Sequence, residues 1–247
     1  MNGCRFPKEQ SDFLRNKIAL PSERRDSIDK SAHDRGFIVA GAKKADLLQD
    51  LHNKVDKYVR EGSSWQNFKR DFKQIVTDHG WHSWTGEGTT AGENWRTRII
   101  LETNIRSSYA AGRWQQQQAV KSELPEWEYI HNDGVLHPRP QHKQWGDSHL
   151  CLPADHEFWK THYPPNGWRR RCRVRARFKA AAGSATTPPE GWDRKDPKTG
   201  EPPGIDKGWG YAPGSNTNQS LEDAVAKKLI KYEPAIRKAM EHHLAQI

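Results

Sequence analysis

The chain has 247 residues, of which 34% are apolar and 29% are charged, and its mean hydropathy is −1.03. This length can build a substantial hydrophobic core and the 11 tryptophans can anchor it, but the low apolar content predicts that much of the chain is exposed or extended. The net charge of +9 favours contact with a polyanion over contact with another basic surface.

No stretch approaches the roughly 18 to 20 apolar residues of a membrane span, and the N-terminal residues lack the layout of a signal peptide. We therefore expect a chain that is made in the cytoplasm and binds no membrane. Its three cysteines, Cys4, Cys151 and Cys172, are odd in number and widely spaced. A disulfide framework is not expected in that compartment.

The first part of the chain predicts short helices and a helix pair. Residues 10–35 contain short apolar segments among charges and are interrupted at Pro21, so they predict an arm or a pair of short helices. Residues 42–62 carry apolar side chains every three or four positions and end on glycine, which is typical of a helix and its stop. A second helix is predicted over 64–80 with serine as its N-cap. These two helices should pack antiparallel.

A long helix is predicted from about Glu93 to about Val120. Its interior contains many small residues between Thr103 and Gly112. Such a run favours close approach of another backbone, and a stripe that faces a ligand is the alternative.

The second part of the chain changes its pattern. Alternation over 127–131 predicts a strand that ends at an Asn-Asp-Gly turn, and alternation over 173–178 predicts a second strand. A segment rich in proline, histidine and tryptophan lies between them. Residues 180–220 contain seven glycines and six prolines and predict an extended, irregular strap. A terminal helix is expected from Ser220, with a break at Pro234.

These elements predict an α+β fold. We expect an N-terminal helical region with a long central helix, then a small β-sheet wrapped by Pro/Trp/His-rich loops, and an extended C-terminal strap with a terminal helix. The expected segments are an N-terminal arm (1–41), a helical region (42–121), the small sheet with the Pro/Trp/His-rich motif (122–180), the strap (181–219) and the C-terminal helix (220–247). Because aliphatic residues are few in the C-terminal part, its core should be anchored by Trp114, Trp145, Trp159 and Trp168.

Seven cations within eleven residues, with no acid among them, form what we call the arginine strip. Alternation should place three of its arginines on one face of the second strand. Such a row could neutralise phosphates of double-stranded DNA without reading the base sequence. A solvated strand face and a surface for an acidic partner subunit are the alternatives. The strip consists of Arg169, Arg170, Arg171, Arg173, Arg175, Arg177 and Lys179.

The segment 131–172 permits three interpretations. The first is a zinc site, but no Cys-x-x-Cys or His-x-x-x-His pair occurs among the possible ligands, which are His137, His142, His149, Cys151, His156, His162 and Cys172. The second is a metal-dependent nuclease built on His131, Asp133 and His142, with few carboxylates nearby. The third is structural, with histidine and asparagine bonded to loop backbone and with tryptophan and proline packed together. We favour the third.

No motif for a nucleophilic hydrolase or for a nucleotide-binding loop occurs in the chain. We therefore expect no enzymatic activity, no cofactor, no bound metal and no small-molecule substrate.

Several motifs follow one another in a specific order. They are His33-Asp34-Arg35 with Phe37-Ile38-Val39-Ala40-Gly41, Gly80-Trp81-His82-Ser83-Trp84-Thr85-Gly86, Trp95-Arg96-Thr97-Arg98, Thr103-Asn104 with Ser108-Tyr109-Ala110-Ala111-Gly112-Arg113-Trp114, His137-Pro138-Arg139-Pro140 with His142 and Trp145, Phe158-Trp159, Thr161-His162, and Pro164-Pro165-Asn166-Gly167-Trp168. From about residue 10 to about residue 214, the chain resembles the phage Mu F-like minor head proteins.

The resemblance implies a structural virion protein of the capsid interior, associated with the portal and required for head assembly or DNA delivery. Its implied partners are portal and major capsid proteins, and assembly would take place in the cytoplasm of the bacterial host. One departure is Arg170, which stands where the family usually has the first cysteine of a Gly-Trp-x-Cys-x-Cys motif. The motif residues, with an expected structural role, are Thr103, Asn104, Tyr109, Gly112, Arg113, Asp133, Arg139, His142, Trp145, Phe158, Trp159, Pro164, Pro165, Asn166, Gly167, Trp168 and Cys172.

Overall fold

A computed structural model describes residues 7–24, 30–134 and 137–215 of the chain. The helices in these ranges are α1 (Lys8–Arg15), α2 (Ala45–Glu61), α3 (Trp65–Asp78), α4 (Thr90–Ala119), α5 (Pro140–Asp147) and α6 (Phe158–His162), with a 3-10 helix at Lys30–Asp34. The strands are β1 (Ile18–Ala19), β2 (Gly36–Phe37), β3 (Glu126–Ile130), β4 (Cys151–Pro153) and β5 (Arg173–Arg177). Helices together with a small antiparallel sheet confirm the predicted α+β class. The expected terminal helix from Ser220 lies outside the described residues.

The helix pair α2–α3 forms where the apolar spacing predicts it. Gly62 ends α2 in the left-handed conformation, at φ +68°, and its N–H donates to the carbonyl of Tyr58. The Ser64 side chain accepts the N–H of Asn67 and so begins α3. The facing sides of the pair form a first hydrophobic core, which includes Leu47, Leu48, Leu51, Val55, Phe68 and Phe72. None of the described helices has the length and apolar content needed to cross a bilayer.

The long helix α4 begins three residues earlier than the sequence predicts, because the Thr89 side chain accepts the N–H of Gly92 and caps it. Its small residues permit the close approach expected of them. A Cβ on Gly112 would lie 2.6 Å from Cγ of Gln10 in α1. The backbone of α1 therefore packs directly on α4, and any larger residue at position 112 would force them apart.

A three-stranded antiparallel sheet with the order β4-β3-β5 lies in the C-terminal part. Trp127 in the central strand pairs with Leu152 on one side and Ala176 on the other. The second hydrophobic core, which is mainly aromatic, packs around this sheet and includes Trp127, Tyr129, Trp145, Phe158, Trp159 and Tyr163. Alternation in β5 is confirmed, since Val174 is buried while Arg173 and Arg175 are exposed.

Residues 180–215 contain neither helix nor strand, as the glycine and proline content predicts. Their last part, residues 201–215, is nevertheless mostly buried, with Trp209 only 1% exposed. We keep the name strap for this buried part of the expected segment. The Glu201 carboxylate forms an ion pair with Lys30 at 2.5 Å, and the Asp34 carboxylate accepts the N–H of Gly214 at 2.9 Å. The strap therefore joins the N-terminal arm to the C-terminal half.

Three of the four tryptophans expected to anchor the C-terminal core belong to it, and the fourth does not. Trp145 and Trp159 are fully buried, and Trp114 packs at the edge of the second core. The expectation for Trp168 is wrong, because its side chain is 38% exposed and packs edge-on against Trp209, with ring centroids 5.4 Å apart. Trp209, which the sequence analysis did not single out, is the buried member of that pair.

Replacing Trp159 by alanine should therefore be far more damaging than replacing Trp168. We expect Trp159→Ala to lower the free energy of unfolding by about 3 to 5 kcal/mol, because it empties a buried site. Trp168→Ala should cost about 1 kcal/mol, which is the scale of one aromatic contact. Urea denaturation of both variants measures the difference, and equal losses would contradict the assignment of Trp159 to the core.

Candidate functional site

A cleft of about 570 Å³ lies between α4 and the segment that leads into β5. Six arginines and one carboxylate, Glu102, line it, and we call it the basic cleft. Its apolar surface comes from Ile105, Ala110, Tyr163, Pro164, Pro165 and Val174. The arginines are Arg106, Arg113, Arg170, Arg171, Arg173 and Arg175.

Positive charge in the basic cleft is poorly compensated. Arg106 lies 3.5 Å from Glu102. Burial is the main cause that lowers the pKa of the Arg106 guanidinium; Glu102 opposes this shift, and two nearby arginines reinforce it. The Nε atoms of Arg106 and Arg170 are both buried without a hydrogen-bond partner. Buried charged groups of this kind are stable only when a counter-charge or a hydrogen-bond acceptor meets them.

The arginine strip is partly neutralised from within the fold by Glu128 on β3, which is 1% exposed. Glu128 accepts from Arg175 at 2.8 Å and from Arg177, and His149 lies 3.2 Å away. Burial alone would raise the pKa of Glu128, but the hydrogen bonds from the two arginines outweigh it, so the pKa is lowered. Sequence analysis missed this role, although Glu128 is the cross-strand partner of Arg175.

The remaining exposed cations of the strip differ from these two arginines. None of the four forms an ion pair within the described ranges 7–24, 30–134 and 137–215. Their charges therefore remain available to an external anion. They are Arg169, Arg171, Arg173 and Lys179.

His142 and Cys172 come together beside the basic cleft. The His142 Nε2 lies 2.7 Å from the carbonyl of Gly204, and Cys172 Sγ lies 3.6 Å from Nδ1. Burial lowers the pKa of His142 to about 4, so the ring is neutral and donates to Gly204 through Nε2. Its Nδ1 then accepts from the Cys172 thiol, whose pKa burial raises. The pair is therefore a neutral thiol and a neutral imidazole, which differs from the thiolate of a catalytic cysteine.

Two other histidines of the metal interpretations contact different residues. His131 lies 3.0 Å from Asp133, and the buried His162 stacks on Phe158 with ring centroids 4.2 Å apart. Burial lowers the pKa of His162 to about 3 and raises the pKa of Cys151 to about 11. Across the part of the chain that the structure describes, no three His, Cys, Asp or Glu side chains are grouped to hold a metal ion.

Several motif residues hold the strap. Arg139 donates to the Gly204 carbonyl at 3.1 Å and to the Asp206 carboxylate. Asp206 also accepts the N–H of Trp168 at 3.0 Å, and its own N–H donates to the carbonyl of Asn166 at 2.9 Å. Gly167 leaves no room for a Cβ against the Asp206 carboxylate. These motif residues therefore act structurally, because their hydrogen bonds position an irregular segment.

The other motif residues lie in three places. Tyr109, Arg113, Pro164, Pro165 and Cys172 line the basic cleft. Trp145, Phe158 and Trp159 belong to the second core, and Gly112 lies against α1. Thr103 and Asn104 border a small depression beside Trp168. Asp133 stays at the surface beside His131.

The chain is similar to proteins of Mu-like phages. The family profile described as Phage Mu protein F like protein matches residues 49–175, about half of the chain. "Putative capsid assembly protein F" of Escherichia phage Mu is 35% identical over 156 residues, which cover 59% of this chain and 34% of that protein. The Mu-like prophage FluMu F protein of Haemophilus influenzae is 33% identical over 159 residues, which cover 60% of this chain and 36% of that protein. The chain thus spans about a third of the length of these relatives. No solved structure matches it.

Glu128 generates a stability prediction. The double variant R175Q/R177Q leaves a buried carboxylate without its cations and should lose about 2 to 3 kcal/mol, somewhat below the usual cost because both arginines are partly exposed. The triple variant E128Q/R175Q/R177Q should recover most of that loss. Urea denaturation at neutral pH measures both, and a triple variant no more stable than the double would contradict the assignment.

The same carboxylate makes wild-type stability depend on pH. Because the pKa of Glu128 is lowered in the folded state, its contribution is present above the unfolded pKa and is lost as pH falls through the folded pKa. Wild type should therefore lose more stability than the triple variant on acidification.

Proposed function

Because the chain belongs to the family of Phage Mu protein F like proteins, we propose that it acts structurally in the assembly of a phage head. The observation that supports this proposal most strongly is the length of the family match. It runs from α2 to β5 and therefore includes both walls of the basic cleft. The named similarity to a capsid assembly protein of phage Mu supports the same conclusion.

The proposed role is that of a minor head protein of the capsid interior, bound to portal or major capsid proteins and assembled in the host cytoplasm. It needs no catalytic group. The histidines and cysteines that could suggest chemistry bond instead to the fold, as His142 does to Gly204 and Cys172. The side chains of the nuclease alternative have separate hydrogen-bond partners among the described residues: His131 pairs with Asp133, and His142 bonds to Gly204 and Cys172.

Contact with packaged double-stranded DNA is a further part of the proposal, and the arginine strip would make it. Arg169, Arg171, Arg173 and Lys179 are exposed and unpaired within the described residues, whereas Arg175 and Arg177 are held by Glu128. Three or four phosphate contacts without base contacts would give weak binding without sequence preference.

Loss of the chain should stop head assembly or leave heads without DNA. The test deletes its coding sequence from the phage or prophage that carries it and counts filled and empty heads by electron microscopy. Supplying the wild-type chain from a plasmid is the control. Normal numbers of filled, infectious heads after deletion would contradict the proposed function.

DNA binding should depend on salt with a slope of about −2 to −4 in log K against log salt, at about −0.9 per phosphate. The variant R169Q/R171Q/K179Q should flatten this slope by about two to three units. The matched control K57Q/R70Q/K160Q removes three exposed cations elsewhere and should leave it unchanged. Fluorescence anisotropy with a short labelled duplex measures the slope, and an unchanged slope in the strip variant would refute contact through the strip.

A further inference from the structure

One face of α4 is left open by both hydrophobic cores. Trp95, Arg98, Glu102, Tyr109 and Arg113 follow one another at intervals that place them along one side of the helix. Trp95 is 46% exposed and Tyr109 is 44% exposed, although large aromatic side chains are usually covered. The basic cleft begins at Glu102 and continues to Arg113 on this face.

Charge in the cleft is strongly one-sided. Six arginines and one carboxylate, Glu102, line it, and only Arg175 has a further carboxylate partner, Glu128, among the ion pairs of the described residues. The Nε atoms of Arg106 and Arg170 are buried without a hydrogen-bond partner. Guanidinium groups that crowd one another are stabilised by an anion, and their planar donors match a carboxylate in bidentate geometry. The occupant of this cleft should therefore carry several negative charges.

The apolar walls decide between two kinds of polyanion. Tyr163, Pro164, Pro165 and Val174 are buried residues that present carbon to the cleft. The volume of about 570 Å³ lies within the range of ~300 to 1,000 Å³ that is usual for ligand pockets. A DNA duplex presents phosphates on a convex surface and keeps its bases stacked inside, so it offers little apolar surface to such walls. An acidic peptide carries carboxylates and apolar side chains together.

We propose that the basic cleft binds an acidic peptide segment of a partner head protein. Its carboxylates pair with Arg106 and Arg113, and its apolar side chains pack against Tyr109 and the Pro164–Pro165 wall. The head partner rests on the proposed function, whereas the peptide chemistry rests on the cleft alone. The cleft and the strip share Arg170, Arg171, Arg173 and Arg175. Arg106 and Arg113 lie on α4 and outside the strip, so changing them tests the cleft without changing the strip.

The test measures binding of two fluorescein-labelled peptides by anisotropy, one built of Glu-Glu-Phe repeats and one of Glu-Glu-Ser repeats with equal charge. A short DNA duplex serves as the third probe. The variant R106Q/R113Q removes charge from the cleft, Y109A removes apolar surface, and K57Q/R70Q removes two exposed cations elsewhere. Circular dichroism and the melting temperature verify that each variant is folded.

The Phe-containing peptide should bind more tightly than the Ser-containing peptide. R106Q/R113Q should weaken its binding about tenfold, which corresponds to losing one or two charge-assisted hydrogen bonds, while K57Q/R70Q leaves it unchanged. Y109A should weaken the Phe-containing peptide several-fold and leave duplex binding unchanged.

Three results would overturn the proposal: no binding of the Phe-containing peptide, equal binding by wild type and R106Q/R113Q, or tight duplex binding that R106Q/R113Q abolishes. The last would make the cleft a nucleic-acid site. The assay needs no phage particle, so its failure leaves the head-assembly proposal standing. Peptide binding together with normal heads after deletion of the chain would instead refute only the head-assembly role.

Discussion

The structure depends on supplying hydrogen bonds to a buried segment that has no regular secondary structure. A helix or sheet satisfies its own backbone, whereas the strap does so only in short turns, such as the one in which the Trp209 N–H donates to the Asp206 carbonyl. Side chains supply partners for several of its other backbone groups. Arg139 and His142 reach the Gly204 carbonyl, Glu201 accepts the N–H of Gly208, and Asp34 accepts that of Gly214. These bonds account for the burial of Asp34, His142 and Glu201.

Partners within the fold also determine which cations of the arginine strip are neutralised. A single buried carboxylate, Glu128, pairs with two arginines of the strip, whereas four other strip cations are exposed and form no ion pair among the described residues. The sheet thus divides a continuous run of cations into those paired with Glu128 and those exposed to solvent. Arg106 and Arg113 on α4 instead line the basic cleft, part of whose surface is apolar. Arginines of this molecule therefore lie in different environments.

Periodicity was enough to predict α2 and α3, because their apolar faces repeat over several turns. Most of α4 was also predicted, although its apolar side chains do not form one continuous face. It could not predict α5, α6 or β4, which have eight, five and three residues and are too short for a period to emerge. The irregular backbone of the strap followed from its glycine and proline content. Its burial did not, because that burial comes from Trp209 and a few scattered residues whose contacts are far away in sequence. Pairing of Glu128 with Arg175 was missed for the same reason, since it requires the register of β3 on β5.

The ion pair between Lys30 and Glu201 has a consequence for the order of folding. These residues are 171 positions apart, so a ribosome must add most of the chain before the pair can form. The α2–α3 pair depends on neighbouring residues and can fold while synthesis continues. Within the N-terminal arm, α1 can already pack on α4, whereas Lys30 and Asp34 lack these partners until the strap is synthesised. Closure of the strap over the Ala111 region of α4 is therefore a late step, and it completes the arm and the C-terminal half together.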